Sequence, residues 1–325
     1  MRDVPVPTSV SVEAQAVIAL GALRAPVEYP PLDDADAWRA MIAADDESTL
    51  AMIGDRAAGL PVAVEEIDAN GVRVFVATPQ GIDPSARHVF LDVHGGGLTH
   101  GGGELCRIMG MRTALQVGAP VWAVDYRMPP DHPYPVPLDD CVTAYRAVLE
   151  DHAPGEVIVG GGSAGGNLAA ALLLRARDEG LPLPAAAVLL TPEADLTESG
   201  DSFQTNRGLD PVLLGSLMPA NLLYAGGHDL TDPYLSPLFG DFTKGFPPAL
   251  LTTGTRDLFL SSTVLLHRAL RAAGITAELH VLEAAGHGGF LGTAPEDREL
   301  DREIRAFVDA RWGRTEGPSS AGRRS

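Results

Sequence analysis

Ser163 lies at the centre of Gly161-Gly162-Ser163-Ala164-Gly165, with an apolar run, Val157–Val159, before it and a helical stretch, Asn167–Glu179, after it. A serine hydroxyl becomes a nucleophile when a strained bend presents it and a base can take its proton, and a strand-turn-helix with small flanking residues supplies the bend. The bland alternatives are a glycine-rich turn whose serine only caps the helix, or a phosphate-cradling loop. No Lys-Ser/Thr pair is present to hold a phosphate, so the nucleophile is the better reading. Acyl transfer also needs amide donors for a developing oxyanion. His94-Gly95-Gly96-Gly97 follows the run His88–Val93, and three glycines let main-chain N–H groups approach without a Cβ in the way. Ala164, directly after the serine, supplies a further donor.

The base is expected after the serine, with the acid between them. His228, His267, His280 and His287 qualify by position. His280 falls in a predicted strand, His267 in the predicted helix Ser262–Ala273, and His228 in a long interruption of the strand-helix rhythm. His287 occupies a glycine-rich loop, Ala285-Gly286-His287-Gly288-Gly289-Phe290, just after a strand ending near Leu282, and is the preferred base. Asp257 follows the run Ala249–Thr252 through Thr253-Gly254-Thr255-Arg256 and is the preferred acid, its role being to hold the imidazole tautomer and stabilise imidazolium. Asp195 and Asp229 are its rivals.

The elements that must position these groups are legible as patterns. Val62–Ile67 and Val72–Thr78 are β-rich and flank Asp68-Ala69-Asn70-Gly71, whose Asn-Gly pair suits a tight hairpin. The short apolar runs His88–Val93, Val121–Val124, Val157–Val159, Ala186–Leu190, Ala249–Thr252 and Glu278–Leu282 mostly alternate with helical stretches, among them Arg107–Val117 and Leu138–Leu149. Fully apolar runs of this length between helices fit parallel strands covered on both faces. The expected class is therefore α/β, with a mostly parallel eight-stranded sheet flanked by helices and a helical cap. Residues 1–60 read as an N-terminal helical cap region, 61–195 and 247–314 as the catalytic domain, 196–246 as a cap insertion, and 315–325 as a disordered tail.

Composition narrows the partners. Forty-three acidic against 24 basic residues give a net charge of −19, which repels phosphate backbones and anionic lipid surfaces, so nucleic acid and membrane are not expected partners. The apolar stretch Val17–Leu20 is too short and too poorly flanked for a secretory signal, and no run reaches the roughly 18 residues that span a bilayer. The two cysteines, Cys106 and Cys141, show no metal or redox spacing, which suits a reducing, cytoplasmic setting.

Together these motifs resemble the hormone-sensitive-lipase-like family of bacterial esterases, which have the α/β-hydrolase fold. The likeness runs over roughly residues 60–310, through His94-Gly95-Gly96-Gly97, Val124-Asp125-Tyr126-Arg127 with Asp131-His132-Pro133-Tyr134-Pro135, Gly162-Ser163-Ala164-Gly165-Gly166-Asn167-Leu168, Asp195-Leu196-Thr197 and the Asp257 and His287 loops. The resemblance implies oxyanion donors at the amides of Gly96, Gly97 and Ala164, a cap built from the N-terminal region and the insertion after Asp195, no cofactor or metal, and a homodimer paired through the last strand and helix. Two positions depart from the family pattern. Gly162 stands where an aspartate is common, and Glu193 where a tryptophan often precedes Asp-Leu-Thr. Glu193 is a substrate-pocket candidate that would disfavour anionic acyl groups; the alternative is an outward, salt-bridged carboxylate. Asp125, Tyr126 and Arg127 are expected to brace the oxyanion loop.

The expected reaction is hydrolysis of small or short-acyl esters, with lactones also open as substrates. A non-catalytic small-ligand receptor on the same fold, and an acyltransferase or peptidase, are the competing readings.

Overall fold

The computed structural model describes residues 4–21, 27–57, 59–83 and 85–314; the tail read as disordered, 315–325, lies outside them. Eight strands form one sheet: β1 (Val62–Ala69), β2 (Val72–Pro79), β3 (Val89–Val93), β4 (Val121–Val124), β5 (Val157–Gly162), β6 (Ala186–Leu190), β7 (Ala249–Gly254) and β8 (Ala277–Leu282), in spatial order β1-β2-β4-β3-β5-β6-β7-β8. Only the β1–β2 and β2–β4 pairings are antiparallel. Asn70 and Gly71 both take positive φ, 57° and 91°, the backbone a tight two-residue hairpin requires.

The helices are α1 (Val12–Gly21), α2 (Ala35–Ala57), α3 (Glu104–Val117), α4 (Val136–Asp151), α5 (Ala164–Asp178), α6 (Ser202–Thr205), α7 (Met218–Ala225), α8 (Leu260–Ala272) and α9 (Pro295–Arg311). Successive strand residues face opposite sides, yet both sides are dry. Val89, Leu91 and Val93 of β3 join a core with α4, α5 and α8, while Phe90 joins a second core with α3 and α9. That double burial is why the central strands read as unbroken apolar runs, each fully buried Leu or Val being worth about 1.5–3 kcal/mol. Val17 and Ile18 of α1 are buried in a smaller cluster with Ala285 and Phe290, and Ser11 bonds Glu296 of α9 through its amide at 2.7 Å and its hydroxyl at 2.8 Å. Among the described residues no helix is long and apolar enough to cross a membrane.

Several elements outrun their sequence patterns. The helix expected at Asn167 begins at Ala164, directly after the serine, because Gly165 and Gly166 are helical where their propensity argues against it. β5 and β7 both extend into glycines, to Gly162 and Gly254.

Candidate active site

Strands β5, β6, β7 and β8 are consecutive and parallel, so the segments after their carboxyl ends share one edge of the sheet. Ser163 follows β5, Asp257 follows β7 and His287 follows β8. Topology thus brings together three residues spread over more than a hundred positions of sequence.

Ser163 has φ 58° and ψ −123°, a strained backbone for a residue with a Cβ. The bend is sustained by contacts nothing larger than glycine would permit. A Cβ on Gly161 would lie 2.3 Å from the Val93 carbonyl oxygen, and one on Gly165 would lie 1.9 Å from that same oxygen. The Ser163 amide donates to Leu190 O at 2.8 Å, and its carbonyl accepts from Asn167 and Glu193 at 3.1 and 3.2 Å.

The glycine loop after β3 packs onto this bend. A Cβ on Gly95 would sit 2.9 Å from Gly162 O and 3.4 Å from the Ser163 Cβ. Gly96, at φ 130°, accepts from the amides of Thr99 and His100, and a side chain there would collide with His100 O at 2.1 Å. Within the described residues the amides of Gly96, Gly97 and Ala164 donate to no other protein group, which leaves them available to an incoming oxyanion. Tyr126 braces the loop, donating its hydroxyl to His94 O at 2.9 Å and stacking on the His94 ring with centroids 4.1 Å apart. Asp125 accepts from the Gly103 amide at 2.8 Å. Arg127 does not reach the loop; it pairs with Asp140 at 2.7 Å, so the bracing expected of it falls to its two neighbours.

Asp257 is fully buried. Its Oδ1 meets His287 Nδ1 at 3.2 Å and accepts the Phe259 amide at 2.9 Å, while Oδ2 accepts from Thr253 Oγ1 at 2.8 Å. The carboxylate is therefore oriented on both sides and offers one oxygen to the imidazole. Burial pulls the His287 pKa down, but the hydrogen bond and charge of Asp257, then the charges of Asp210 and Glu193, outweigh it and leave the imidazole above its ordinary 6.5. The Phe259 ring meets it edge-on at 4.8 Å. Ser163 Oγ makes no hydrogen bond to His287 in this arrangement; such contacts commonly close only when substrate is bound.

The rival residues are occupied elsewhere. Asp195 caps its own turn through Thr197 and Ser199, exposed Asp229 does the same with Thr231, and the His267 ring bonds Ala277 O at 3.3 Å.

Glu193 is not an outward, salt-bridged side chain. It is fully buried, and neither carboxylate oxygen has a hydrogen-bond partner. Burial pushes its pKa up to about 8, opposed by the nearby Asn221 amide and His287 and reinforced by Glu198 and Asp195. Two residues central to the site carried no sequence signal of their own. Asp210 sits inside the interruption between strands and accepts hydrogen bonds from the His287 and Leu258 amides, and Thr253, which follows the run Ala249–Thr252 in sequence, lies within β7 and donates to Asp257.

One group among the described residues has metal-type donors within 4.8 Å of one another: His94, Cys106 and Asp125. It suits a metal poorly. Asp125 is already held by Arg73 and the Gly103 amide, and burial pushes the Cys106 thiol well up, away from the thiolate a metal needs.

A family model described as alpha/beta hydrolase fold matches residues 90–291. An acetyl-hydrolase of Streptomyces hygroscopicus is 36% identical over 207 residues, covering 62% of this chain and 69% of that protein. A carboxylic ester hydrolase of Mycobacterium tuberculosis is 34% identical over 245 residues, covering 66% of this chain and 62% of its own length. The crystal structure of an esterase from the bacterial hormone-sensitive lipase family superposes with a TM-score of 0.82 at 32% identity, covering 94% of this chain and all (100%) of that one. This chain belongs to the bacterial hormone-sensitive-lipase-like esterases. A second esterase structure matches at TM-score 0.87 and 37% identity over 95% of this chain and 96% of its own, so for this esterase the likeness extends to the helices outside the sheet.

Proposed function

We propose that this esterase hydrolyses small or short-acyl carboxylic esters, and lactones of similar size, by a Ser-His-Asp acyl-enzyme mechanism. Ser163 Oγ attacks the ester carbonyl as His287 takes its proton, Asp257 steadies the imidazolium, and the amides of Gly96, Gly97 and Ala164 hold the oxyanion. His287 then gives the proton to the leaving alcohol, activates a water to attack the acyl-serine, and returns a proton to Ser163. Carboxylic acid and alcohol leave, and no cofactor enters the balance.

The observation that supports this reading is a strained serine and a buried imidazole-carboxylate pair after strands that end at one edge of the sheet, with the amides of Gly96, Gly97 and Ala164 donating to no group among the described residues. A short acyl group is supported by the space available. Tyr29 and the stretch Val212–Leu217 line a cavity of about 380 Å³, and Leu217 also approaches Gly97. Residues 1–60 and 196–246 form the cap in this reading. Pairing of two copies through β8 is supported by its position at the sheet edge and by its exposed Val281, and the reducing cytoplasmic setting by two buried free thiols.

Ser163→Ala tests the mechanism. Turnover of p-nitrophenyl butyrate and covalent labelling by a fluorophosphonate should both disappear; full hydrolysis by that variant would overturn the proposal. Substrate range is read from catalytic efficiency across acyl chains from acetyl to hexadecanoyl together with lactones. The optimum is expected at short chains, and a preference for hexadecanoyl esters would refute the size argument.

A further inference from the structure

The segment joining β6 to α7 carries Ser202, Asn206 and Asp210, spaced four residues apart. All three side chains are buried, and all three bond the loops that bear the acid and the base. Ser202 Oγ donates to Leu258 O at 2.7 Å and accepts the Ser261 amide at 2.9 Å. Asn206 Nδ2 donates to Asp257 O at 2.8 Å and to Thr255 O at 3.2 Å. Asp210 Oδ2 accepts both the Leu258 amide at 3.0 Å and the His287 amide at 3.1 Å, while Oδ1 anchors its own turn through the amides of Val212 and Leu213.

We propose that Asp210 is a positioning residue for ester hydrolysis, a single carboxylate that sets the spacing between the Asp257 and His287 loops, with Asn206 and Ser202 fastening the acid loop behind it. The inference rests on the Ser-His-Asp reading above. One oxygen that accepts from the residue after the acid and from the base itself ties the two loops to a common point, beside their direct bonds from Arg256 N to Ala285 O at 2.9 Å and from Ala284 N to Thr255 Oγ1 at 2.7 Å. An independent contact shows how closely the third segment is pressed in. A Cβ on Gly286, next to the base, would lie 2.3 Å from Pro211 Cδ and 2.9 Å from Asp210 Oδ1, so the His287 loop approaches Asp210-Pro211 as only glycine allows. The first arm of the insertion is thus part of the catalytic frame. Any lid motion that admits substrate belongs to other cap segments, because lifting residues 202–213 would break the bonds that Ser202, Asn206 and Asp210 make to the two loops.

The test is Asp210→Asn in the intact chain. The amide keeps the side chain's shape but puts either an N–H donor or a single neutral oxygen where two backbone donors converge. A misplacement of the base loop by about an ångström lowers kcat by about 100-fold with KM within about threefold. The His287 imidazole is faced by the carboxylates of Asp257, Asp210 and Glu193 and by the Phe259 ring, so losing one charge also moves the acid limb of the kcat/KM profile to lower pH. Hydrogen exchange at the amides of residues 258 and 287 should accelerate. Leu138→Ala, a cavity in the α4 core far along the chain from these loops, controls for general destabilisation and should keep kcat. A folded Asp210→Asn enzyme with kcat within about threefold of the parent and an unmoved acid limb would overturn the inference. If that variant does not fold, Asn206→Ala, which removes only the bonds to the Asp257 and Thr255 carbonyls, is expected to lose about tenfold in kcat, and an unchanged kcat overturns the inference equally. A Ser163→Ala variant that stays active defeats the site reading itself; an inactive Ser163→Ala beside a fully active Asp210→Asn defeats only this inference.

Discussion

Replacing Glu193 by glutamine should change how stability depends on pH, by an amount that follows from its burial. The folded carboxyl is pushed up to about 8 against an ordinary 4.5, because burial excludes water and the nearby Asn221 amide and His287 offset only part of the cost of the charged form. A carboxyl whose folded pKa is raised favours the folded state while it is protonated and loses that contribution as pH climbs from its unfolded value through its folded one. The cost to the folded protein is about 1 kcal/mol at pH 5, about 3 at pH 7 and about 5 at pH 9. Glutamine does not titrate. The stability of Glu193→Gln minus that of the parent should therefore grow by about 2 kcal/mol from pH 5 to 7 and by about 4 from pH 5 to 9, whatever constant offset the substitution adds. Urea unfolding at the three pH values measures this. Asp92, buried on β3 and pushed up to about 7, has the same sign of effect in both proteins and cancels in the difference. Parallel stability-pH curves would show that Glu193 is hydrated or charge-paired in solution, and the reasoning from burial would be wrong.

The raised pKa of His287 sets the acid side of activity. The imidazole must be neutral to take the Ser163 proton, so kcat/KM on an uncharged ester should fall as pH drops through a value above 6.5, and a limb centred below 6.5 would contradict the hydrogen bond to Asp257. Gly165→Ala places a methyl group 1.9 Å from the Val93 carbonyl oxygen, so the bend must open or the strand must shift. Loss of fluorophosphonate labelling, or a chain that does not fold, is expected, and a variant with parental kcat would show that the elbow is looser than its backbone angles imply.

How much of this site is legible in the sequence depends on whether a residue's role is local. The bend at Ser163 was legible because its causes lie within five consecutive positions, where only glycine tolerates the contacts later found against Val93. The placement of His287 and Asp257 beside one another is legible because chain order and the ends of apolar runs decide which residues reach the carboxyl edge of a parallel sheet. Helix and strand ends were less so, since Gly165, Gly166 and Gly254 are held in regular structure by packing that overrides their local preference.

The sequence by itself therefore determined the α/β class, the eight strands, and the candidates proposed as nucleophile, base, acid and oxyanion loop, since each is written in periodicity or in a short motif. Tertiary structure alone decided the environment of Glu193, the failure of Arg127 to reach the oxyanion loop, and the bonds from Asp210 to two distant amides. An aspartate in an irregular stretch looks the same whether it faces water or four main-chain donors. Burial and pairing are properties of what the folded chain brings alongside a side chain, and no local pattern encodes them.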